Sequence, residues 1–392
     1  MTDFDIIVCG ATGYTGQRVC EHLAQSYGSD LRWAMAGRDT TKLEDVRARF
    51  GVPSHVELIE VDITDPAAAT SLARRAKTLI STAGPFATVG EPLVAACAQS
   101  GTDYVDISGD AVWIRKMLDR YQDAAIASGA RLIFTCGFDS VPSDLGVFLL
   151  QKAAREKFGA PATRIKGRIR RLVGGLSGGT LASGRASVEA AGADPAIPQL
   201  LANPFALVPG FDGPAQPAEK EVTFDPDVES WVAPFILAGM NAKSVHLSNA
   251  LLGWQYGKDF IYDEMIMLPD ATDPESARTA ADANIWSNVV KALQIDLKPG
   301  EGPSDEDLAA GSFEILFVGR TDAGQEIRTT IAGQGDPYAL TPRIVAECAL
   351  CLTEDASPAT GGVWTAAAAL GDRLQRRLED RAGISFGVAS PG

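Results

Sequence analysis

A short apolar run, Phe4 to Cys9, breaks into Gly10-Ala11-Thr12-Gly13-Tyr14-Thr15-Gly16, after which Val19, Leu23 and Tyr27 recur at helical spacing. A strand that turns on three glycines into a helix leaves a chain few folds to choose from. Gly10 permits the tight turn, Gly13 lets backbone N–H groups approach a pyrophosphate, and Gly16 lets the helix lie close to the strand. A phosphate then sits on the positive end of that helix. Three glycines alone often make no more than a turn. Their placement between a strand and a helix, within the first 20 residues, selects the dinucleotide reading.

The second strand, residues 31–36, ends in Gly37-Arg38-Asp39. A site that prefers NAD places an acidic residue here for the ribose 2′-hydroxyl. Arg38 instead suits a 2′-phosphate, through bidentate charge-assisted hydrogen bonds and stacking on adenine. Asp39 beside it could serve a hydroxyl, and Arg38 could be an ordinary surface residue, but the pattern favours NADP as cofactor.

The alternation continues as helix 41–50, strand 55–61, helix 66–76, strand 78–81, helix 92–100, strand 104–107, helix 112–127 and strand 130–135. Strands alternating with helices imply right-handed crossovers and a parallel sheet, an α/β architecture with helices on both faces. Ligands of such sheets lie at the carboxyl ends of the strands. The loops there carry Asp62, Thr82-Ala83-Gly84-Pro85-Phe86, Gly109-Asp110 and Cys136-Gly137-Phe138-Asp139. Taken singly, Asp62 and Asp110 read as helix caps or turn residues. The Gly84-Pro85 step straight after a strand offers rigid backbone to the nicotinamide half of a cofactor.

Beyond residue 142 the character changes. Residues 164–173 alternate basic and apolar side chains as a half-exposed strand does, and a glycine-rich segment, 174–180, leads into a helix at 181–191. That segment lacks the Lys-Ser/Thr ending of a P-loop and reads as a connection or substrate-facing loop. Residues 195–217 are rich in Pro and Gly and read as an irregular loop or lid. Aromatic and aliphatic residues concentrate over 233–268, as a domain core or as an apolar pocket for a bulky substrate. Apolar runs at 312–318 and 326–331, joined by a Gly-containing turn, read as a hairpin, and helices are expected over 341–352 and 365–382.

The chain of 392 residues holds 35 Lys plus Arg against 50 Asp plus Glu, a formal charge of −15. No basic surplus exists to release counterions from nucleic acid or to hold anionic lipid, so nucleic acid is not an expected partner. At 46% hydrophobic and 22% charged residues the composition is globular rather than disordered. No apolar run approaches the roughly 18 residues of a spanning helix, and the N-terminus lacks a secretory signal, so a cytoplasmic location is expected. Of six cysteines only Cys348 and Cys351 are spaced like ligands, within an apolar helix with no second pair, and they read as core. With three histidines, His22, His55 and His246, no metal site is expected.

Together, Gly10-Ala-Thr-Gly-Tyr-Thr-Gly16, Ala36-Gly-Arg38, Ser81-Thr-Ala-Gly-Pro-Phe86, Tyr104-Val-Asp-Ile-Ser-Gly109 and Cys136-Gly-Phe-Asp-Ser-Val-Pro142 resemble the saccharopine dehydrogenase-like oxidoreductases, and within them the bacterial trans-acting enoyl reductases. Likeness extends through Ser177-Gly-Gly-Thr180, Pro299-Gly-Glu-Gly-Pro303, Asp336-Pro-Tyr338 and Gly361-Gly-Val363 to Ala368-Ala-Leu-Gly371. The resemblance implies a Rossmann-type NADP-binding domain over 1–142, an α+β substrate domain with an antiparallel sheet over 143–340, and C-terminal helices over 341–392 that return to the first domain. It implies a soluble reductase acting on acyl chains or related lipids, free or delivered on a carrier protein, with a homodimer as the assembly to consider. Saccharopine reductases proper hold an amino acid through basic side chains, and no such cluster is evident.

The cofactor contacts then expected are Gly10, Ala11, Thr12, Gly13, Tyr14, Thr15, Gly16, Arg38, Asp62, Thr82, Ala83, Gly84, Pro85, Phe86, Gly109, Cys136 and Gly137. The chemistry expected is hydride transfer from NADPH to the β carbon of an unsaturated thioester or ketone, with Tyr104, Asp139, Tyr256 and His246 as alternative proton donors. No Tyr-x-x-x-Lys pair of short-chain reductases follows the fourth strand. Reduction of a carbonyl or imine is the second reading, and a non-catalytic NADPH sensor or assembly protein the third.

Overall fold

The computed structural model describes residues 2–174, 192, 194–218, 221–283, 300–355 and 359–389. The segment 175–180 and the helix expected over 181–191 lie outside the described residues.

The first sheet is built from β1 (Phe4–Cys9), β2 (Trp33–Gly37), β3 (Glu57–Glu60), β4 (Ala76–Ser81), β5 (Asp103–Asp106), β6 (Arg131–Ile133) and, late in the chain, β13 (Gly362–Trp364). Its order is β13-β6-β5-β4-β1-β2-β3, and every neighbouring pair is parallel. Ile6, Ile7 and Val8 are all fully buried, because helices cover both faces and leave no polar side to the strand. The crossover helices are α1 (Tyr14–Tyr27), α2 (Thr40–Arg49), α3 (Pro66–Ala73), the short α4 (Phe86–Val89) with α5 (Glu91–Ser100), and α6 (Ala111–Ser128). Asp39, Asp65 and Asp110 cap three of them by accepting backbone N–H bonds, and Pro66 occupies the first turn of α3, where its missing N–H costs nothing. The strand order reverses between β1 and β4, which opens a crevice at the carboxyl edge.

From β6 the chain enters α7 (Val141–Phe158), then β7 (Arg164–Val173) at the centre of a second sheet. The remaining strands are β8 (Thr223–Asp225), β9 (Ser230–Pro234), β10 (Ile261–Leu268), β11 (Ser312–Arg320), β12 (Glu326–Gln334) and β14 (Ile384–Ala389), in the order β14-β12-β11-β7-β10-β9-β8. All pairs are antiparallel except β7 with β10. The expected hairpin is β11 and β12, paired over nine residues each. One face of this sheet takes α7 so closely that a Cβ on Gly146 would stand 2.4 Å from the Phe317 ring. Further helices are α8 (Ala196–Ala202), α9 (Ala238–Leu251), α10 (Asp305–Ala310), α11 (Pro337–Glu354) and α12 (Ala366–Arg377), the last followed by a short π-helical stretch at Leu378–Ala382.

Helix α11 returns to the first sheet and packs on α1 and β4. Glu347, fully buried on α11, meets His22 Nε2 at 2.8 Å and accepts from the Tyr27 hydroxyl at 2.7 Å, locking the two helices together. Cys348 and Cys351 are buried free thiols of that helix.

Four expectations shift. The stretch 195–217, expected as an irregular loop or lid, opens with a helix at Ala196–Ala202. The helix expected to reach residue 76 ends at Ala73, and Ala76 already pairs with Phe4 in β4. Residues 362–364 form an edge strand on β6 rather than a helix linker, and residues 384–389 form a strand on β12. Both are short, glycine-containing segments whose strand state comes from partners more than fifty residues away in sequence.

Candidate cofactor and substrate site

At the end of β1 the N–H groups of Gly10 and Ala11 donate to Ala36 O at 3.1 and 3.2 Å, which binds the glycine turn to β2. Gly10 has φ +80°, and a Cβ there would stand 2.8 Å from Ala83 N, so the loops after β1 and β4 touch backbone to backbone across the switch point. Gly16 is tighter still: a Cβ would lie 2.1 Å from Gly10 O and 2.7 Å from Thr82 Oγ1. Thr82 Oγ1 itself donates to Cys9 O and Gly10 O, at 3.0 and 3.1 Å. Gly13 is the N-cap of α1, which has no side-chain cap and no acidic residue in its first turn, where half-buried Thr15 stands. The helix therefore presents bare N–H groups and its positive dipole end to an anion.

Gln17 Nε2 fixes Thr12 from behind by donating to its carbonyl at 2.8 Å. The Tyr14 hydroxyl donates to Pro303 O at 2.6 Å, and Arg18 is ion-paired with Asp305, so residues 302–305 of the second half lie along the glycine turn. Arg38 is exposed at the end of β2 and makes no hydrogen bond or ion pair among the described residues. Asp62, after β3, is held below the usual carboxylate range first by Thr64 hydrogen bonds and also by the Arg38 charge. These groups fit a phosphorylated dinucleotide: a backbone cradle that a side chain would fill, a helix N-terminus for the pyrophosphate, and an exposed guanidinium where the adenosine ribose would lie.

The loops after β4, β5 and β6 form the other end. Gly84 is exposed, Pro85 and Phe86 are half-buried, and the Gly84–Pro85 peptide is cis. Gly109 faces Asp139, 3.6 Å from a Cβ placed on it. Cys136 and Gly137 lie beneath the loop: the Cys136 N–H donates to Asp106 O at 2.7 Å, and Gly137 backs onto Thr341.

Sequence reading singled out none of the roles of Asp106. Its fully buried carboxylate accepts from Ser108 N, Ser108 Oγ, Thr135 N and the Tyr104 hydroxyl, at 3.0, 2.7, 3.2 and 3.0 Å. It ties the loops after β5 and β6 into one surface. Burial raises its pKa to about 6, opposed by those bonds. Its one legible signal was an acid at the end of an apolar strand.

The four proton-donor candidates are not brought together. Tyr104 is fully buried within β5 with its hydroxyl spent on Asp106. Tyr256 is fully buried against Phe260, and its hydroxyl has no partner among the described residues. His246 is enclosed by Phe205 and Phe260, and burial, with the Lys243 charge, lowers its pKa to about 3, so it is neutral at neutral pH. Asp139 differs from these: it reaches solvent, yet stands in a concave cleft whose walls raise its pKa by desolvation. It lines a narrow apolar pocket with Phe138, Ile169, Leu172, Phe235 and Phe313, where the carboxyl edge of the first sheet meets the covered face of the second.

Among the described residues no group of three His, Cys, Asp or Glu side chains could hold a metal ion, and no helix is long and apolar enough to cross a membrane.

Residues 6–133 match the saccharopine dehydrogenase NADP binding domain family. The chain is 36% identical to a Mycobacterium tuberculosis protein provisionally named a trans-acting enoyl reductase, over 98% of this chain and 97% of that one. It is 33% identical to the trans-acting enoyl reductase of Mycobacterium bovis, over 98% of each. The fold is similar to that of apo saccharopine dehydrogenase (L-Glu forming) from Saccharomyces cerevisiae, with TM-score 0.59 at 12% identity, covering 99% of this chain and 100% of that one.

Proposed function

Because the chain belongs to the saccharopine dehydrogenase-like oxidoreductases and is an NADP-dependent enzyme, we propose that it reduces the C=C bond of an enoyl or related unsaturated acyl or polyketide-type lipid substrate. The observation that carries this reading is the pocket beside Asp139: its walls are mostly apolar, with Ser143, Arg171 and Asn241 among them, and it lies at the carboxyl edge of the nucleotide sheet. The names of the relatives point the same way.

When bound, NADPH supplies the hydride. The chain's own residues bind, orient and exclude. The turn Gly10 to Gly16, with the N-terminus of α1, receives the pyrophosphate, and Arg38 the 2′-phosphate. Thr82 to Phe86 and Gly109 border the nicotinamide end, and Asp106 holds that surface rigid from below. Phe138, Phe235 and Phe313 keep water from the acyl chain and leave a low-dielectric site in which charge on the thioester oxygen is strongly felt. Asp139 handles the proton. It is the candidate donor that is open to the cleft, and burial of its surroundings raises its pKa above the ordinary carboxylate value. Tyr104, Tyr256 and His246 act as structural groups in this scheme.

Loss of NADPH absorbance would be followed with a series of straight-chain enoyl thioesters, ketones and imines. Enoyl thioesters should turn over, and longer apolar chains should lower KM. Turnover of ketones or imines alone would sink the enoyl reading. Asp139→Asn should lower kcat by about 100-fold or more with little change in KM for NADPH.

A further inference from the structure

The pocket beside Asp139 contains one buried polar group whose hydrogen-bonding capacity the protein leaves unspent. Asn241, on the first turn of α9, is 1% exposed and lines this pocket. Its Nδ2 donates to Ser143 Oγ at 3.1 Å and to Glu264 Oε2 at 2.7 Å. Ser143 Oγ donates to Glu264 Oε1 at 2.5 Å, and the Tyr262 hydroxyl donates to the same oxygen at 3.0 Å. This network fixes which way the amide points. A half-turn of the side chain would forfeit two donated bonds and set the amide oxygen against a carboxylate. Asn241 Oδ1 is therefore held in place, buried, with no partner among the described residues.

Leaving a buried acceptor unpaired is costly, so it calls for an explanation at the site itself. Polar groups set singly in an apolar pocket are how proteins orient and select ligands. A site built to receive a donor rejects ligands that lack one far more strongly than an apolar wall rejects a missing methylene.

We propose that Asn241 Oδ1 is a specificity group that accepts a hydrogen bond from a donor on the bound substrate, an N–H or an O–H, and disfavours substrates without one. Ser143, Tyr262 and Glu264 are positioning residues that hold the amide for this purpose. The inference rests on the substrate lying in the pocket beside Asp139. The donor has two chemical sources, an amide N–H on the thiol portion of a thioester or a hydroxyl on the acyl chain.

Two matched pairs of probes separate them. One is the crotonyl thioester of N-acetylcysteamine against that of 2-mercaptoethyl acetate, in which an ester oxygen replaces the N–H. The other is a γ-hydroxylated enoyl chain against its deoxy counterpart, on the same thiol. Binding to the protein–NADP+ complex is measured by calorimetry, without reliance on turnover. The wild-type protein should favour the donor-bearing member of one pair by about tenfold to a hundredfold. Asn241→Leu should level that pair by weakening the donor-bearing member, with NADP+ affinity unchanged, and Asn241→Ala should do the same where Leu is not tolerated. Equal wild-type affinities within both pairs would overturn the proposal whether or not the variants fold. A preference that survives in a folded variant would overturn it as well. Absence of turnover with every enoyl thioester, alongside the expected binding preference, would count against enoyl reduction and not against the acceptor site.

Discussion

β1 and β7 stand at or near the centres of their sheets, and they manage charge in opposite ways. β1 runs Ile6-Ile7-Val8 with no exposure on either face, and the polar chemistry waits for the glycine turn beyond its end. β7 alternates, placing Arg164, Lys166, Arg168 and Arg170 on one face. Those cations are matched by acids from other elements: Arg168, 3% exposed, holds Asp225 and Asp263 at 2.7 Å each, and Lys166 holds Asp225 at 2.8 Å. Arg170 meets Glu314 at 2.9 Å. In the first sheet, charge is excluded from the strands and local devices at their ends receive the ligand. In the second, charge inside the strands is neutralised across them, and the opposite, mostly apolar face lines the pocket beside Asp139. The −15 net charge therefore says little about either site.

The sharpest way to break this comparison is to remove a cation from β7. Arg168→Ala leaves two carboxylates beside an empty position and should cost about 3–5 kcal/mol of stability, read from denaturant unfolding, while the folded fraction keeps its NADPH affinity. If affinity falls in step with stability, the two regions are not separable. The glycine turn should fail differently. Gly16→Ala pushes a methyl into Gly10 O and should cost about 1–3 kcal/mol and abolish tight NADPH binding in a fluorescence titration, with enoyl-chain binding less affected. Arg38→Ala should leave the melting temperature unchanged and weaken NADPH by about 10–100-fold, the worth of charge-assisted hydrogen bonds, with NADH nearly unaffected. An equal loss for both cofactors would remove Arg38 from the 2′-phosphate site.

A smaller effect concerns the joint between the regions. Asp144 on α7 accepts from Ser248 and from Ala367 N, and burial raises its pKa to about 6. The folded protein thus keeps a proton that the unfolded chain releases near pH 4. Its contribution to stability is fully present below that pH and is lost as pH rises toward about 6, by at most about 1.4 kcal/mol per unit. The stability of wild type relative to Asp144→Asn should accordingly fall between about pH 4 and pH 6 and stay level above. A constant or rising difference would contradict this. Smallest of all, Lys42→Ala, which removes an exposed pair 3.7 Å from Asp39, should change stability by no more than about 0.5 kcal/mol.

Much of the first region was legible because its determinants are local. Gly10, Gly13 and Gly16 declare a turn within seven residues, and Arg38 follows its strand directly. The alternation of β7 and the β11–β12 hairpin were legible for the same reason. The substrate site was not. Asp106 gains its role from Ser108 and from Thr135, which another strand brings to it. The sequence leaves Tyr256 and His246 among four alternative proton donors, and only tertiary packing shows that aromatic rings enclose both. Asn241 carries no motif, and its unspent oxygen exists only because Ser143 and Glu264 claim the amide nitrogen.

By itself the sequence determined that this chain begins with a parallel nucleotide-binding sheet and where its glycine turn and the cation after the second strand stand, since apolar period and glycine spacing act over a few residues. Only the tertiary structure decided which late segments became strands, which buried acids hold the loops together, and which side chains face the pocket. Those outcomes depend on partners from 29 to 223 residues apart, and a burial cost or an unpaired atom comes into being only when distant segments meet.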